Sequence, residues 1–166
     1  MKTYTAMQIS AHIINTYKRL GEDLSNTRLQ KLLYIIHVRY LIHHGIPAFY
    51  DGIEKWKLGP CVPDVYSAYK WQGPTITYVE KVLQYSPPAF KPFVIVDEEP
   101  LELADQQEVA SALFKTQHMT TIELIDATRS HYIYAKYKSR VEQGERFSYY
   151  RSEIEKHYKE NPEDII

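Results

Sequence analysis

The sequence predicts a mainly α-helical domain, a compact bundle of about six or seven helices around one central buried helix, with a small hairpin-like β element. Three observations support this fold class. One long stretch, residues 25–44, is apolar on two sides, and helix-capping signals recur along the chain. Finally, 166 residues of which 44% are hydrophobic suffice for one core, and no long linker divides them. We expect a single domain over 1–166.

The central helix shows two apolar stripes at helical spacing. One stripe consists of Leu29, Leu32, Leu33, Ile36 and Tyr40, and the nearly opposite one consists of Ile35, Val38 and Ile42. A helix that is apolar on two sides must be covered on two sides, so it belongs at the centre of the core. Ser25 is the predicted N-cap. Between the stripes run Gln30, Tyr34 and His37, which we interpret as buried groups hydrogen-bonded to neighbouring segments, with a catalytic or ligand role as the alternative.

The first helix is predicted from Thr5 to Leu20. Thr5 and Gln8 form a capping box, and Gly21 is the expected C-terminal stop. The short connection to the central helix also permits a helix-turn-helix interpretation, and with it a DNA-binding regulator of a phage or prophage. We rank this second, because the second helix carries too much apolar surface to lie in a groove of DNA.

After the central helix, residues 49–58 are expected to be extended or irregular. Residues 59–63 (GPCVP) are expected to form a rigid turn, and Pro63 to begin a short helix that Gly73-Pro74 ends. Residues 75–97 predict the β element, with strands over 76–82 and 93–96. Further helices are predicted over 98–160: one capped by Asp105 with Glu108, one by Thr120 with Glu123, and two over 132–141 and 148–159.

Composition narrows the possible functions. The net charge of −1 argues against a nucleic-acid partner, and no apolar run is long enough to span a membrane, so we expect a cytoplasmic protein. Known catalytic motifs are absent, which predicts no enzyme and no cofactor, although a hydrolase or nucleotide binder without a recognisable motif is a third alternative. The seven histidines are scattered, and His37 and His44, one heptad apart, have no acidic residue beside them. We therefore predict no metal site.

Two segments together resemble the Panacea domain of bacterial and phage antitoxins. They are LQKLLY at residues 29–34 and WKLGPCVPDVY at residues 56–66, in the order and at about the separation of the family pattern. The resemblance covers residues 5–74 well and the rest loosely. In the C-terminal half, Leu124 and Thr128 match a motif that usually continues T-H-x-x-x-P-W. Arg129, Ile133 and Tyr134 stand where that motif has His, Pro and Trp, which leaves the role of the second motif open.

The resemblance implies a non-enzymatic function. Panacea proteins are neutralising partners of unrelated toxins encoded beside them. The SocA-like members act as adaptors that deliver a toxin to the ClpXP protease, and GepA-like members lie in prophages. A cognate protein toxin, and as a second mode a ClpXP-type protease, are therefore the implied partners. We expect the motif residues to maintain the fold: Leu29, Gln30, Lys31, Leu32, Leu33, Tyr34, Trp56, Gly59, Pro60, Pro63 and Tyr66.

A toxin-binding surface needs exposed anchors, which are often Tyr, Trp or Arg. The preferred candidate is the flank of the central helix formed by Arg28, Lys31 and Arg39. The second candidate is the tyrosine-rich C-terminal region with Tyr132, Tyr134, Tyr137, Tyr149 and Tyr150. Tyr149 and Tyr150 are adjacent in a predicted helix and would point about 100° apart, so we expect one of them to face solvent.

Overall fold

The predicted central helix is helix α2 (Asn26–His44), and it is buried along nearly its whole length. In the computed structural model, which describes residues 1–80, 83–84, 94–95 and 100–166, every residue from Arg28 to Leu41 is buried. The Ser25 hydroxyl accepts the Arg28 N–H at 3.1 Å, and Gly45 ends the helix in the left-handed conformation. Both apolar stripes are therefore covered, as predicted, and the mainly α fold class is confirmed.

Helix α1 (Ala6–Leu20) packs against α2 and confirms its predicted signals. Thr5 and Gln8 form the reciprocal capping box, and Gly21 lies at φ +69° beyond the last turn. The other helices are α3 (Pro63–Tyr69), α4 (Leu103–Thr116), α5 (Thr121–Ser130), α6 (Tyr132–Ala135), α7 (Lys138–Glu142) and α8 (Arg151–Glu160), followed by a 3-10 turn at Pro162–Asp164. Helices α3, α4, α5 and α8 also contact α2. None of the helices in the described ranges has the length and apolarity of a membrane span.

Two helix predictions in the C-terminal half need correction. The predicted helix over 132–141 is interrupted at Lys136 and Tyr137 and forms α6 and α7. The predicted helix over 148–159 begins only at Arg151, because Phe147–Tyr149 forms strand β5 instead. The Thr120–Glu123 capping box of α5 is confirmed.

A three-stranded antiparallel sheet covers one end of α2 and was not predicted. Strand β1 (Ile53–Trp56) lies between β2 (Gly59–Cys61) and β5. The predicted turn was wrong over residues 59–61, because the turn lies at Lys57-Leu58 and Gly59 already pairs with Trp56. Pro63 begins α3, as predicted. Pro60 is tolerated in β2 because this strand is at the edge of the sheet, where a missing N–H leaves no ladder bond unmade.

The hairpin-like element predicted over 75–97 is present in reduced form. Strand β3 (Leu83–Gln84) pairs with β4 (Val94–Ile95) in antiparallel orientation. The predicted first strand does not form over residues 76–80, where the Ile76 N–H binds the Leu24 carbonyl and the Gln72 side chain accepts the Thr77 N–H. The other predicted strand residues, 81–82, 93 and 96, lie outside the described part of the chain.

Asp105 joins the N-terminus, α2 and α4 rather than capping a helix. Helix α4 has Glu102 at its N-cap, so the predicted Asp105–Glu108 capping box was wrong. Asp105 is fully buried and accepts hydrogen bonds from the Tyr40 hydroxyl at 2.8 Å and the Tyr4 hydroxyl at 2.9 Å. Burial and the neighbouring Asp105 carboxylate raise the pKa of Tyr4 to about 12, which keeps its hydroxyl a donor.

We predict that Asp105→Ala lowers the free energy of unfolding by about 2–4 kcal/mol, because two buried hydroxyls lose their acceptor. Asp105→Asn keeps one acceptor oxygen and should lose less. The control is Asp126→Ala, which removes an exposed carboxylate from α5. Urea unfolding measures all three variants. Equal stability of Asp105→Ala and Asp126→Ala would contradict the assignment of Asp105 as a junction.

Candidate functional site

The two segments of the N-terminal motif meet where α2 packs against β2. The Lys31 ammonium donates a hydrogen bond to the Pro60 carbonyl at 2.8 Å, and the Gln30 side-chain oxygen accepts the Val62 N–H at 2.8 Å. Gln30 also donates to the Asn26 side chain at 3.0 Å. Polar side chains of α2 thus hold the backbone of β2 and the start of α3.

Gly59 is the point where a third segment joins this contact. It lies at φ +92°, and a Cβ atom on it would be 3.1 Å from Thr128 Oγ1, 3.3 Å from Lys31 Nζ and 3.3 Å from Arg129 Cγ. A side chain here would be strained in its backbone and crowded by its neighbours. The glycine therefore permits the close approach of α2, β2 and α5, and Thr128 belongs to the second, weaker motif.

The pKa of the Lys31 side chain is strongly lowered at this junction. Burial disfavours its ammonium form and lowers its pKa to about 7; Arg129 acts in the same direction, and Cys61 acts against it. No carboxylate pairs with Lys31 among the described residues. Burial also raises the pKa of Cys61 to about 12, so this thiol is not poised as a nucleophile.

The residues that depart from the second motif contact the same junction. The Tyr134 hydroxyl donates to the Trp56 carbonyl at 2.9 Å, and the Arg129 guanidinium carbon lies 5.7 Å from the centre of the Tyr134 ring. Arg129 also pairs with Glu142 at 3.1 Å, while its buried Nε has no hydrogen-bond partner in the described ranges. Tyr134 thus links α6 to the β1–β2 hairpin.

The predicted scaffold residues divide into two groups. The buried group contains Leu29, Gln30, Lys31, Leu32, Leu33, Tyr34, Gly59 and Pro60, and the partly exposed group contains Trp56, Pro63 and Tyr66. The Trp56 and Tyr66 rings lie edge to face, with centres 5.0 Å apart. Burial and close packing support a role in maintaining the fold, and that role stays a prediction.

The flank predicted to be exposed for toxin contact is not exposed. Arg28, Lys31 and Arg39 are 9%, 2% and 4% exposed. Arg28 donates to the carbonyls of Thr116 and Met119 at 3.0 and 2.6 Å, where α4 ends. A cation is favourable at that end of a helix, which explains why it is buried there. These three side chains therefore do not form the exposed surface that the predicted contact with a toxin requires.

Arg39 is held as firmly as Arg28. It forms an ion pair with Glu108 at 2.8 Å and donates to the Ser111 hydroxyl at 3.0 Å. Its guanidinium therefore serves the packing of α2 against α4. The sequence could not show this, because the pairing partners lie about 70 residues away along the chain.

The polar residues between the apolar stripes of α2, Gln30, Tyr34 and His37, are only partly hydrogen-bonded. Gln30 is hydrogen-bonded as described, and the Tyr34 hydroxyl lies 3.0 Å from the Tyr158 hydroxyl. These two residues confirm the interpretation of buried, paired groups. His37 departs from it, since its buried Nδ1 has no hydrogen-bond partner among the residues that the structure describes, and burial lowers its pKa to about 4.

Among the tyrosines of the second candidate surface, the structure separates buried from exposed rings. Tyr134 and Tyr149 are buried, Tyr137 is partly exposed, and Tyr132 and Tyr150 are 69% and 68% exposed. One of the pair Tyr149 and Tyr150 does face solvent, as expected. The reason differs from the prediction, because Tyr149 ends strand β5 and Tyr150 is the N-cap of α8.

A groove between α1 and α4 is a surface that the sequence did not suggest. Two adjoining hollows of about 330 and 260 Å³ share His12, Arg19 and Gln106. Leu103, which lines the second hollow, is 71% exposed, and Phe114, further along α4, is 70% exposed. Leu103, Gln107, Ala110 and Phe114 recur at the spacing of one helical face. None of the described residues that line the hollows is acidic.

The family model described as "Antitoxin SocA-like, Panacea domain" matches residues 29–133. The chain therefore belongs to this family. Antitoxin SocA of Caulobacter vibrioides (strain NA1000 / CB15N) is a relative, 45% identical over 69 residues, which cover 42% of this chain and 37% of SocA. The match thus spans little more than a third of that relative's length. No solved structure matches the chain. The resemblance drawn from the two sequence segments is confirmed, and the family match extends beyond residue 74 through α5.

We predict that Gly59→Val lowers the free energy of unfolding by about 1–3 kcal/mol, because the side chain meets Thr128, Lys31 and Arg129 at positive φ. Gly73→Val is the matched control: Gly73 lies at φ +86°, but an added Cβ has no neighbour within 4 Å. Both variants carry backbone strain, and only the first adds crowding. Thermal and urea unfolding should therefore show a larger loss for Gly59→Val, and an equal loss would contradict the close approach.

We predict that the free energy of unfolding rises between pH 7 and 8.5 because of the shifted pKa of Lys31. Its pKa of about 7 in the folded chain rises to the ordinary 10.5 on unfolding, so unfolding takes up a proton in this window and becomes less favourable as pH rises. Above this window the Cys61 thiol, ordinarily ionised near 9.0, acts in the opposite direction.

The measurement is urea unfolding at several pH values for the wild type and Lys31→Met. The difference in free energy between the two proteins should change with pH in the stated direction. Lys18→Met removes an exposed lysine and serves as the control. A difference that is constant from pH 7 to 8.5 would show that Lys31 remains protonated in the folded chain.

Proposed function

We propose that this protein is an antitoxin that neutralises a cognate protein toxin by direct binding. The observation that carries the proposal is membership in the SocA-like antitoxin family, whose model matches residues 29–133. The similarity to antitoxin SocA over 69 residues points the same way. A toxin encoded in the adjacent reading frame is the partner this function requires.

The structure supports binding more than catalysis. The described part of the chain holds its motif residues in a packed junction, and the Cys61 thiol there is buried with a raised pKa. The groove between α1 and α4, in contrast, is open and bordered by exposed apolar side chains. Exposed apolar patches of this kind are typical of protein interaction sites.

We propose that the groove between α1 and α4 receives the toxin. Leu103 and Phe114 supply apolar anchors, and Arg19 supplies a cation that forms no ion pair in the described part of the chain. Since the described lining contains no acid, a toxin segment with apolar residues and a carboxylate is complementary. An amphipathic helix laid between α1 and α4 would satisfy both requirements.

A DNA-binding regulator is less well supported. Its recognition helix would be α2, which is buried from Arg28 to Leu41 and has no face available for the major groove. The adaptor mode differs from simple neutralisation in requiring a ClpXP-type protease. Rescue of growth in a host that lacks this protease would favour direct binding, and loss of rescue with retained binding would favour the adaptor.

We predict that Leu103→Ala with Phe114→Ala weakens toxin binding about tenfold or more, because interface energy concentrates in a few large apolar anchors. Arg19→Glu should weaken binding as well, through charge reversal. The matched control is Tyr132→Ala with Tyr150→Ala, which removes two rings of similar exposure from the tyrosine-rich region.

The assay is co-expression with the neighbouring toxin, followed by growth rescue, co-purification and calorimetry. If the wild type neither rescues growth nor binds the toxin, the antitoxin proposal fails. If it does both and only the tyrosine variant loses binding, the function stands and the groove is the wrong surface.

A further inference from the structure

Two histidines and an aspartate converge near the C-terminal 3-10 turn, outside the junction of the family motifs. His157 Nε2 lies 2.9 Å from Asp164 Oδ2, and His131 Nε2 lies 3.8 Å from Asp164 Oδ1. One ligand atom from each of the three side chains falls within 4.8 Å of the other two. Ligand atoms around a tetrahedral zinc ion are about 3.3 Å apart, given metal–ligand distances near 2.0 Å. The two histidine–carboxylate separations, each to a different oxygen of Asp164, lie on either side of that value.

The second ring nitrogen of His131 is held by a network that orients the first. His131 Nδ1 lies 3.1 Å from the Tyr158 hydroxyl, which lies 3.0 Å from the Tyr34 hydroxyl. If Nδ1 donates its proton to Tyr158, Nε2 carries a free lone pair directed at Asp164. Metal-ligating histidines typically have their other nitrogen fixed by such a partner.

The three ligands come from separate elements, and one of them is partly exposed. His131 lies between α5 and α6, His157 on α8 and Asp164 in the 3-10 turn. Both histidines are buried, whereas the Asp164 side chain is 28% exposed and leaves a path for an ion. A cavity of about 10 Å³ beside His131 and Asp164 is close to the volume that one water molecule requires.

We propose that His131, His157 and Asp164 bind a divalent first-row transition metal of the zinc class, with water as the fourth ligand. Two imidazoles and one carboxylate suit such an ion, whereas Mg²⁺ and Ca²⁺ prefer oxygen ligands throughout. The bound ion fastens the C-terminal turn to α8 and to the junction of α5 with α6. No sequence pattern marks this site, because its ligands are 26 and 7 residues apart and follow no metal-binding motif.

A second group of possible ligands serves as an internal comparison. His43, His44 and Glu108 also lie close together, but both histidines are exposed. Glu108 is already paired with the Arg39 guanidinium at 2.8 Å, which competes with a cation for the carboxylate. This group therefore resembles a surface ion-pair cluster more than a metal site, and its histidines are suitable control positions.

The test uses the full chain after chelator treatment, titrated with ZnCl₂ by calorimetry and with CoCl₂ by visible absorption. We expect one equivalent of metal and a Co²⁺ spectrum of low coordination number. His131→Ala, His157→Ala and Asp164→Asn should each weaken binding by at least about a hundredfold, because loss of a ligand exceeds the roughly 10–100-fold effect of an outer partner. Tyr158→Phe should weaken it by about 10–100-fold. His43→Ala with His44→Ala should leave it unchanged.

Circular dichroism and thermal unfolding of each metal-free variant verify its fold. Zn²⁺ should raise the melting temperature of the wild type and of the control variant, but not that of the ligand variants. MgCl₂ should not substitute. The proposal is overturned if the wild type binds Zn²⁺ with a dissociation constant weaker than about 100 μM, a binding free energy smaller than about 5.5 kcal/mol. It is also overturned if the ligand variants bind as the wild type does, or if the control variant removes the binding.

Discussion

The structure depends on one requirement: the three cationic side chains buried along α2 must each contact a partner on a neighbouring element. Arg28 binds carbonyls at the end of α4, Lys31 binds the Pro60 carbonyl, and Arg39 pairs with Glu108. A buried cation without such partners would cost several kcal/mol, so these contacts restrict where α4 and β2 can lie. The apolar stripes drive α2 into the core, and its polar groups fix the orientation of what surrounds it.

The family motifs acquire a physical meaning from this arrangement. LQKLLY supplies the polar donors and acceptors, and the Gly-Pro segment supplies the backbone that they bind. Gly59 has no side chain, and Thr128 and Lys31 lie within about 3.3 Å of the position that a Cβ atom on it would occupy. Arg129 and Tyr134, which replace the usual residues of the second motif, still reach this junction. The motif residues therefore lie where α2, β2 and α5 pack together, and Arg129 and Tyr134 replace the usual side chains beside this contact.

Since most of the motif residues are buried, the proposed contact with a toxin requires other surfaces. The groove between α1 and α4 combines exposed Leu103 and Phe114 with a cationic Arg19, and α1 lies outside the residues matched by the family model. A common scaffold with a variable surface would allow related antitoxins to bind unrelated toxins. The cluster of His131, His157 and Asp164 lies in the C-terminal part, where a bound ion would hold the last turn in place.

The sequence by itself determined the buried central helix, the family and three caps of neighbouring helices, at Thr5, Gly21 and Thr120. Capping and apolar periodicity act between residues a few positions apart, which is why the sequence shows them. It misplaced residues 59–61 and 148–150, because a β strand is specified by its partner, and here β5 pairs with β1 about 95 residues earlier. The prediction that Arg28, Lys31 and Arg39 form an exposed flank was wrong, since charge indicates that a partner is needed but not where it lies. Only the tertiary structure brings Glu108, the Pro60 carbonyl and the end of α4 to these side chains, and only it brings two distant histidines to one aspartate.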